Sequence, residues 1–119
     1  MLLWLLSLPA RRRLWRLGPL CVLLFIAAPG WAADPITLTI KDHRFTPTEL
    51  ELPAGKKITL TVKNLDPTAE EFESIELHRE KVVAGGQEII VYIGPLRPGR
   101  YEFFGDFNPQ TARGTIVVK

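Results

Sequence analysis

Most of the side chains in this sequence that could bind a metal ion are carboxylates. An acidic run spans residues 70–80 and contains five glutamates, Glu70, Glu71, Glu73, Glu76 and Glu80. One histidine, His43, follows Asp42 far upstream of this run, and a second, His78, lies within it. Carboxylates combined with one or two imidazoles suit iron or manganese and also accept Cu(II) or Zn(II). An acidic run is also typical of a solvated surface, so the residue types leave both interpretations open.

The same residues do not suggest a hydrolase. No serine is placed with Asp42 and His43 to form a nucleophilic triad, and no pair of carboxylates stands out for hydrolysis. We therefore predict no catalytic residues, and any enzymatic activity would depend on a redox metal.

Short alternating segments separated by turn signals occupy the chain after residue 35. Residues 36–40 and 58–62 alternate apolar and polar side chains, which is typical of half-buried strands. Further strands are predicted at residues 50–52, 71–77, 88–93, 101–104 and 115–118, with Gly, Pro and Asn in the turns between them. About seven short strands without a helix predict an all-β Greek-key sandwich, because an α/β domain would need helical crossovers.

Hairpin counting predicts that several polar residues meet at one end of this sandwich. If the Ala54-Gly55 turn lies at one end, then Asp42-His43, residues 64–71 and residues 105–111 lie at the other. The residues expected to converge there are His43, Glu70, Glu71, Asp106 and Asn108. Glu80 can approach this end from the return segment, whereas His78 is expected to lie lower.

The direction of Glu71 and Glu73 stays open at this point. Glu73 lies one pleat repeat beyond Glu71, about 7 Å along the same strand face, so both could reach one large or binuclear site. Because Phe72 between them favours the core, strict alternation would turn both glutamates outward unless a β-bulge intervenes.

Residues 1–32 have the composition of an export signal. Four arginines and no acidic residue precede an apolar run at residues 20–28, and Gly30-Trp31-Ala32 fits a cleavage site. We predict a signal peptide over residues 1–32 and a mature domain over residues 33–119. An uncleaved anchor helix is the alternative, although the apolar run is short for a bilayer span of about 20 residues.

The predicted mature domain is slightly acidic and has no cysteine. All 13 acidic residues follow residue 32, whereas four of the 15 basic residues precede it, which leaves 11 basic against 13 acidic residues, or −2. No basic stripe with interleaved aromatic residues is present, so we predict no binding to nucleic acid. The single cysteine, Cys21, lies in the predicted signal segment, so the domain has neither a disulfide nor a thiolate ligand.

Several motifs, taken in order, resemble the cupredoxin superfamily. They are Phe45-Thr46-Pro47, Leu50-Glu51-Leu52-Pro53-Ala54-Gly55, Val62-Lys63-Asn64-Leu65-Asp66, Pro98-Gly99-Arg100-Tyr101-Glu102-Phe103-Phe104 and Gly114-Thr115-Ile116-Val117-Val118. The resemblance spans almost all of residues 33–119. It implies a cupredoxin-like Greek-key β-sandwich with a metal site at one end.

The residues of a blue-copper centre are missing from the corresponding positions. Such a centre needs a cysteine thiolate, two imidazoles and a weak axial ligand, usually Met. The resemblance places Gly105 at the thiolate position, Asn108 at the downstream imidazole position, and Glu70 or Glu71 near the upstream one. We therefore predict a protein without a type 1 copper centre.

A narrower resemblance is to the EfeO-type cupredoxin-like group, the small periplasmic cupredoxins of bacterial ferrous-iron uptake systems. It is carried by Asp42-His43-x-Phe45, Glu71-Phe72-Glu73-Ser74, Arg79-Glu80-Lys81 and Phe104-Gly105-Asp106-Phe107. Members of this group often carry His where this chain has Asn108. With His78 added, the predicted metal ligands are His43, Glu71, Glu73, His78, Glu80 and Asp106.

This resemblance implies a periplasmic metal-binding accessory protein that holds an iron or copper ion. Its implied partners are a membrane iron permease and other periplasmic components of iron uptake, and the membrane itself is implied only if the signal segment stays uncleaved. Two alternatives remain, which are a metal-free β-sandwich interaction module of a periplasmic complex and a copper-dependent Fe(II) oxidase.

Overall fold

Alternating apolar residues fold residues 35–119 into two β-sheets that share one core. These are the residues that the computed structural model describes, and the predicted signal peptide lies outside them. The described residues form nine strands and no helix. The strands are β1 (Ile36–Lys41), β2 (Arg44–Thr46), β3 (Glu49–Leu52), β4 (Ile58–Asn64), β5 (Glu70–Ser74), β6 (Arg79–Val83), β7 (Glu88–Ile93), β8 (Gly99–Gly105) and β9 (Arg113–Val118).

The four-stranded first sheet has the order β2-β1-β4-β7, and the five-stranded second sheet has the order β3-β9-β8-β5-β6. The β1–β4 and β3–β9 pairs are parallel, and the other pairs are antiparallel. The predicted all-β sandwich is confirmed. Along the described chain, no helix is long and apolar enough to cross a membrane.

Two strands, β2 and β6, are additional to those predicted from the sequence. β2 has only three residues and pairs with β1 through the Asp42-His43 turn. β6 shows no apolar alternation, because its first four residues are all exposed. The strand predicted at residues 71–77 instead ends at Ser74, whose Oγ accepts a hydrogen bond from the Leu77 N–H at 3.3 Å. The segment after Ser74 is therefore a turn.

Three phenylalanines from three strands form the centre of the core. Phe45, Phe72 and Phe103 are each at most 1% exposed. Phe45 meets the other two rings edge to face, with centroid distances of 6.3 Å to Phe72 and 5.1 Å to Phe103. Such aromatic pairs add about 0.5–1.5 kcal/mol each to the energy of area burial. The cluster therefore ties β2 of the first sheet to β5 and β8 of the second.

Candidate metal centre

One end of the sandwich gathers three chain segments, which we call the loop pole. They are the Asp42-His43 turn, residues 65–69 and residues 106–112. The Asp66 carboxylate accepts hydrogen bonds from the backbone N–H groups of Asp42, at 2.8 Å, and His43, at 3.0 Å. The Thr111 hydroxyl donates to the His43 carbonyl oxygen at 2.6 Å. These contacts join segments that hairpin counting assigns to the same end.

Asp66 is a structural residue of the loop pole that the sequence analysis did not single out. Asp42 and His43 adopt left-handed φ angles of 51° and 56°, which are unfavourable for residues other than glycine. The Asp66 carboxylate compensates by accepting both turn N–H groups. These hydrogen bonds, that from His43 foremost, lower the pKa of Asp66. The segment Asn64-Leu65-Asp66-Pro67 has the composition of a turn, but the distant partners of Asp66 could not be predicted from it.

Glu70 occupies the interior of the loop pole and is only 1% exposed. Its Oε1 accepts hydrogen bonds from the N–H groups of Glu71, at 3.0 Å, and Phe107, at 2.9 Å. Its Oε2 accepts a hydrogen bond from the Asn108 side-chain amide at 2.7 Å. Both oxygens of this buried carboxylate therefore have donors within the protein, which buried polar groups require.

Gly105 allows the end of β8 to lie directly against this carboxylate. A Cβ atom at Gly105 would stand 2.6 Å from Glu70 Cδ and 2.7 Å from Ala112 Cβ. Real Cβ atoms do not approach other atoms this closely, so any larger residue would displace Glu70 or Ala112. The buried position of Glu70 therefore requires a glycine at position 105.

β5 pairs residue by residue with β6 over its whole length, so it contains no bulge. Glu70, Phe72 and Ser74 point into the sandwich, so Glu71 and Glu73 point to the outer face of the second sheet. The register of β5 with β8, which pairs Phe72 with Gly105 and Glu73 with Phe104, agrees with this assignment. The two glutamates therefore cannot share a site with the interior of the loop pole.

Glu71, Glu73 and Asp106 form what we call the carboxylate cluster. One carboxylate oxygen from each can be chosen so that all lie within 4.8 Å of one another, and no other group of three potential ligands among residues 35–119 meets this criterion. Glu71 is 9% exposed, Glu73 is half-buried and Asp106 is exposed. Glu80 lies directly opposite Glu73 on β6. The outer face of the second sheet thus gathers four carboxylates.

The electrostatics of the carboxylate cluster favour the uptake of positive charge. Burial raises the pKa of Glu71, and the neighbouring carboxylates of Glu80, Asp106 and Glu73 raise it further. Burial also raises the pKa of Glu73, with added repulsion from Asp106 and Glu80. A cation bound between these groups would relieve the repulsion, since an opposite charge stabilises the ionised carboxylates.

No basic side chain of the described residues neutralises the carboxylate cluster through an ion pair. Three basic residues of the second sheet instead donate to backbone carbonyl oxygens. Arg79 Nε donates to Tyr92 at 2.7 Å, Lys81 Nζ donates to Ile90 at 3.0 Å, and Arg113 Nε donates to Pro109 at 2.7 Å. The negative charge of the cluster is therefore left without a protein counterion.

The structure does not bring the two predicted histidine ligands into the cluster. His43 lies in the β1–β2 turn, with its Nδ1 3.7 Å from Asp66 Oδ2. His78 lies in the turn between β5 and β6, where it lines a shallow surface depression together with Glu73 and Glu80. Of the six predicted ligands, Glu71, Glu73 and Asp106 therefore come together, Glu80 adjoins them, and His43 and His78 lie outside the group.

Comparisons with known proteins identify the fold. A family model described as a cupredoxin-like domain matches residues 16–118. An uncharacterized protein of Rickettsia prowazekii (strain Madrid E) is 51% identical over 83 residues, which cover 70% of this chain and 66% of that protein. The chain thus spans about two thirds of the length of this curated relative.

Among solved structures, the chain is similar to amicyanin from Paracoccus versutus, with 18% identity and a TM-score of 0.59, over 74% of this chain and 84% of amicyanin. It is also similar to the Cu(I)-bound metal-binding domain of the Streptococcus pneumoniae D39 Cu(I)-exporting P-type ATPase CopA. That match has 18% identity and a TM-score of 0.64, and it covers 71% of this chain and 84% of the domain. At this identity the two likenesses show a shared fold.

A blue-copper centre does not fit the loop pole of this chain. The resemblance to cupredoxins places Gly105 at the thiolate position, where a side chain would collide with Glu70. It places Asn108 at the downstream imidazole position, and the amide of Asn108 donates a hydrogen bond to Glu70 at 2.7 Å. The resemblance places Glu70 or Glu71 near the upstream imidazole position, and the oxygens of Glu70 already accept three hydrogen bonds. The interior of the loop pole is therefore filled by protein groups.

Proposed function

Because the chain belongs to the cupredoxin-like domain family, we propose that it is a metal-binding protein that holds its ion at the carboxylate cluster. The observation that carries this proposal is the combination of position and charge at Glu71, Glu73 and Asp106. Their oxygens lie within reach of one ion, and no basic side chain of the described part pairs with them. Burial, together with repulsion between the carboxylates, raises the pKa values of both glutamates. The fold is shared with copper-binding proteins, but the donor set is different.

The donor set favours a hard cation. Three carboxylates, with Glu80 as a fourth, offer only oxygen ligands. Oxygen ligands suit iron or manganese, whereas Cu(I) prefers sulfur ligands. His78 is the nearest candidate for an imidazole ligand, because it lines the same surface depression as Glu73 and Glu80. We therefore propose Fe(II) as the ion, with Cu(II) as a competitor that affinity order alone would favour.

We further propose that iron is a cargo and that the protein is an EfeO-type periplasmic accessory of ferrous-iron uptake. An exposed ligand such as Asp106 leaves one side of the cluster open to solvent and to another protein. Such a site suits transfer of an ion to a membrane iron permease better than a closed structural site would. The predicted signal peptide supports export to the periplasm.

A metal-free interaction module is the second candidate. It is supported by Glu70, whose three hydrogen bonds complete the interior of the loop pole without an ion. The third possibility is a copper-dependent Fe(II) oxidase. It receives no support from the side chains inside the loop pole, because they include no thiolate or imidazole ligand for a redox copper ion.

Metal titration of protein purified from the periplasm tests the proposal. Fe(II) under anaerobic conditions, Mn(II) and Cu(II) would be titrated separately by calorimetry, after the metal content of the purified protein is measured. We expect Glu71→Gln and Asp106→Asn each to weaken Fe(II) binding about tenfold, which corresponds to about 1.4 kcal/mol. Glu51→Gln is the matched control, because Glu51 is an exposed strand carboxylate that pairs with Lys119 at 3.4 Å.

Two further results separate the candidate functions. Binding to the folded state alone raises thermal stability by mass action, so a metal-dependent rise of the midpoint supports a metal site over an interaction module. We expect His43→Ala to leave Fe(II) affinity unchanged, because its imidazole lies beside Asp66. Unchanged Fe(II) affinity in both Glu71→Gln and Asp106→Asn would refute the proposed site.

A further inference from the structure

We infer that Glu70 and Asn108 are positioning residues, which hold Asp106 beside Glu71 and Glu73 and thereby set the metal affinity of the carboxylate cluster. The part of this inference that concerns affinity rests on the proposed function. The part that concerns the position of Asp106 rests on the contacts of the loop alone.

Three consecutive residues of the loop after β8 are attached to two consecutive residues of β5. Asp106 N–H donates to the Glu71 carbonyl oxygen at 3.0 Å. Phe107 N–H donates to Glu70 Oε1 at 2.9 Å, and the Asn108 side chain donates to Glu70 Oε2 at 2.7 Å. Two of these three attachments use the buried carboxylate. Glu70 is therefore the main anchor of the loop segment that carries Asp106.

The position of Asp106 depends on this backbone anchor. None of the side-chain hydrogen bonds found among residues 35–119 involves the Asp106 carboxylate, so its side chain is placed by the backbone that bears it. That backbone belongs to a tight turn, in which Asn108 N–H donates to the Gly105 carbonyl at 3.1 Å and Ala112 N–H donates to the Asn108 carbonyl at 2.9 Å. A displacement of Asn108 would therefore move the turn, and Asp106 with it.

The pleat of β5 links the anchor to the ligands. Glu70 and Glu71 are adjacent and point to opposite faces of the second sheet. The inward carboxylate of Glu70 holds the loop against β5. The outward carboxylate of Glu71 lies close to Asp106 on the other face. The interior of the loop pole, which a metal occupies in a blue-copper protein, thus serves here to support a site on the outer surface.

Three variants and a control test this role. Asn108→Ala removes one attachment and leaves Glu70 Oε2 without its donor, and Glu70→Ala removes two attachments. Glu70→Gln is conservative, because its amide oxygen can accept both backbone hydrogen bonds and its amide group can pair with the Asn108 side chain after that amide rotates. Ser74→Ala is the matched control, since Ser74 is also buried on β5 but donates to the Glu102 carbonyl at 2.6 Å, away from the loop.

The first measurement is hydrogen exchange of the Asp106 and Phe107 amides by NMR, without metal. We expect Asn108→Ala to reduce the protection of both amides at least tenfold, and Glu70→Gln and Ser74→Ala to change it less than about threefold. Glu70→Ala should behave like Asn108→Ala if it folds. Unchanged protection in Asn108→Ala would overturn the positioning role, whether or not the protein binds metal.

The second measurement is calorimetric titration with Mn(II), a redox-stable probe of oxygen-ligand sites. We expect Asn108→Ala to weaken Mn(II) binding about fivefold to tenfold, while Glu70→Gln stays within about twofold of the wild type. If Glu70→Gln binds as weakly as Glu70→Ala, the charge of Glu70 acts on the metal directly and the positioning role is wrong. If wild-type protein binds neither Mn(II) nor Fe(II), the proposed function fails, while hydrogen exchange still decides whether Glu70 and Asn108 position Asp106.

Discussion

Replacement of Gly105 by cysteine should not create a blue-copper site, although it puts a thiolate where the resemblance to cupredoxins places one. The new Cβ would lie 2.6 Å from Glu70 Cδ, 2.7 Å from Ala112 Cβ and 2.8 Å from Glu70 Oε1. Overpacking of this kind typically costs about 1–3 kcal/mol. Displacement of Glu70 from its donors adds about 1–3 kcal/mol, the usual cost of leaving a buried hydrogen-bonding group unsatisfied. The expected destabilisation is therefore about 2–6 kcal/mol, a large part of the stability of a small domain.

Urea unfolding of Gly105→Cys and its matched control Gly105→Ala measures this cost, provided that the slope of the transition is unchanged. The alanine variant isolates the steric term from thiol chemistry, so both variants should lose similar stability. When Glu70→Ala is added, the cost of Gly105→Ala should fall, because the two residues collide. An intense visible Cu(II)–thiolate absorption band in Gly105→Cys, or a loss below about 1 kcal/mol in both variants, would refute this reasoning.

Three further predictions concern the loop pole, the cluster and the core. Asp66→Ala should destabilise the protein by about 2–4 kcal/mol in urea unfolding, because the N–H groups of Asp42 and His43 lose a charged acceptor. Because the pKa of Asp66 is lowered by folding, its stabilisation is present above its unfolded pKa near 3.8 and is lost as the pH falls through the folded value, so wild type and variant should converge in acid. The pKa of Glu73 is instead raised above 4.5, so ionised Glu73 destabilises the folded state. Without metal, the thermal stability of Glu73→Gln should therefore rise relative to that of the wild type as the pH rises through the folded pKa. A constant difference in stability from pH 4 to pH 8 would contradict this. Phe45→Ala should cost about 3–5 kcal/mol in urea unfolding, because its ring fills the centre of the core, and a loss below 1 kcal/mol would contradict that role.

The strands that the sequence predicts are those that bury one face. Residues 58–62 alternate because β4 lies inside its sheet, with Leu60 and Val62 fully buried. β6 could not be found in this way, because it forms the edge of the second sheet and exposes Arg79, Glu80, Lys81 and Val82. Its pairing with β5 is a long-range property, which local alternation does not record. The prediction that the domain has no thiolate ligand rests on residue types alone, because residues 33–119 contain no cysteine.

The composition of the candidate site was more predictable than its geometry. The sequence left the direction of Glu71 and Glu73 open between strict alternation, which turns them outward, and a β-bulge; the continuous register of β5 with β6 has no bulge. The approach of Asp106 to them depends on the β5–β8 register, which the sequence does not reveal. His43 could not be separated from the carboxylates by hairpin counting, because counting assigns a residue to an end of the sandwich but not to a sheet or a face.

Glu70 and Glu71 show why one acidic motif supports two opposite roles. Glu70 lies inside, where its carboxylate accepts three hydrogen bonds, so a cation there would have to compete with donors that are already in place. Glu71 points to the outer face, where burial and then the carboxylates of Glu80, Asp106 and Glu73 raise its pKa. No basic side chain of the described residues forms an ion pair with it. A cation gains most where carboxylates repel one another and least where they are already satisfied. For this reason we place the proposed metal site on the outer face of the second sheet and not in the interior of the loop pole.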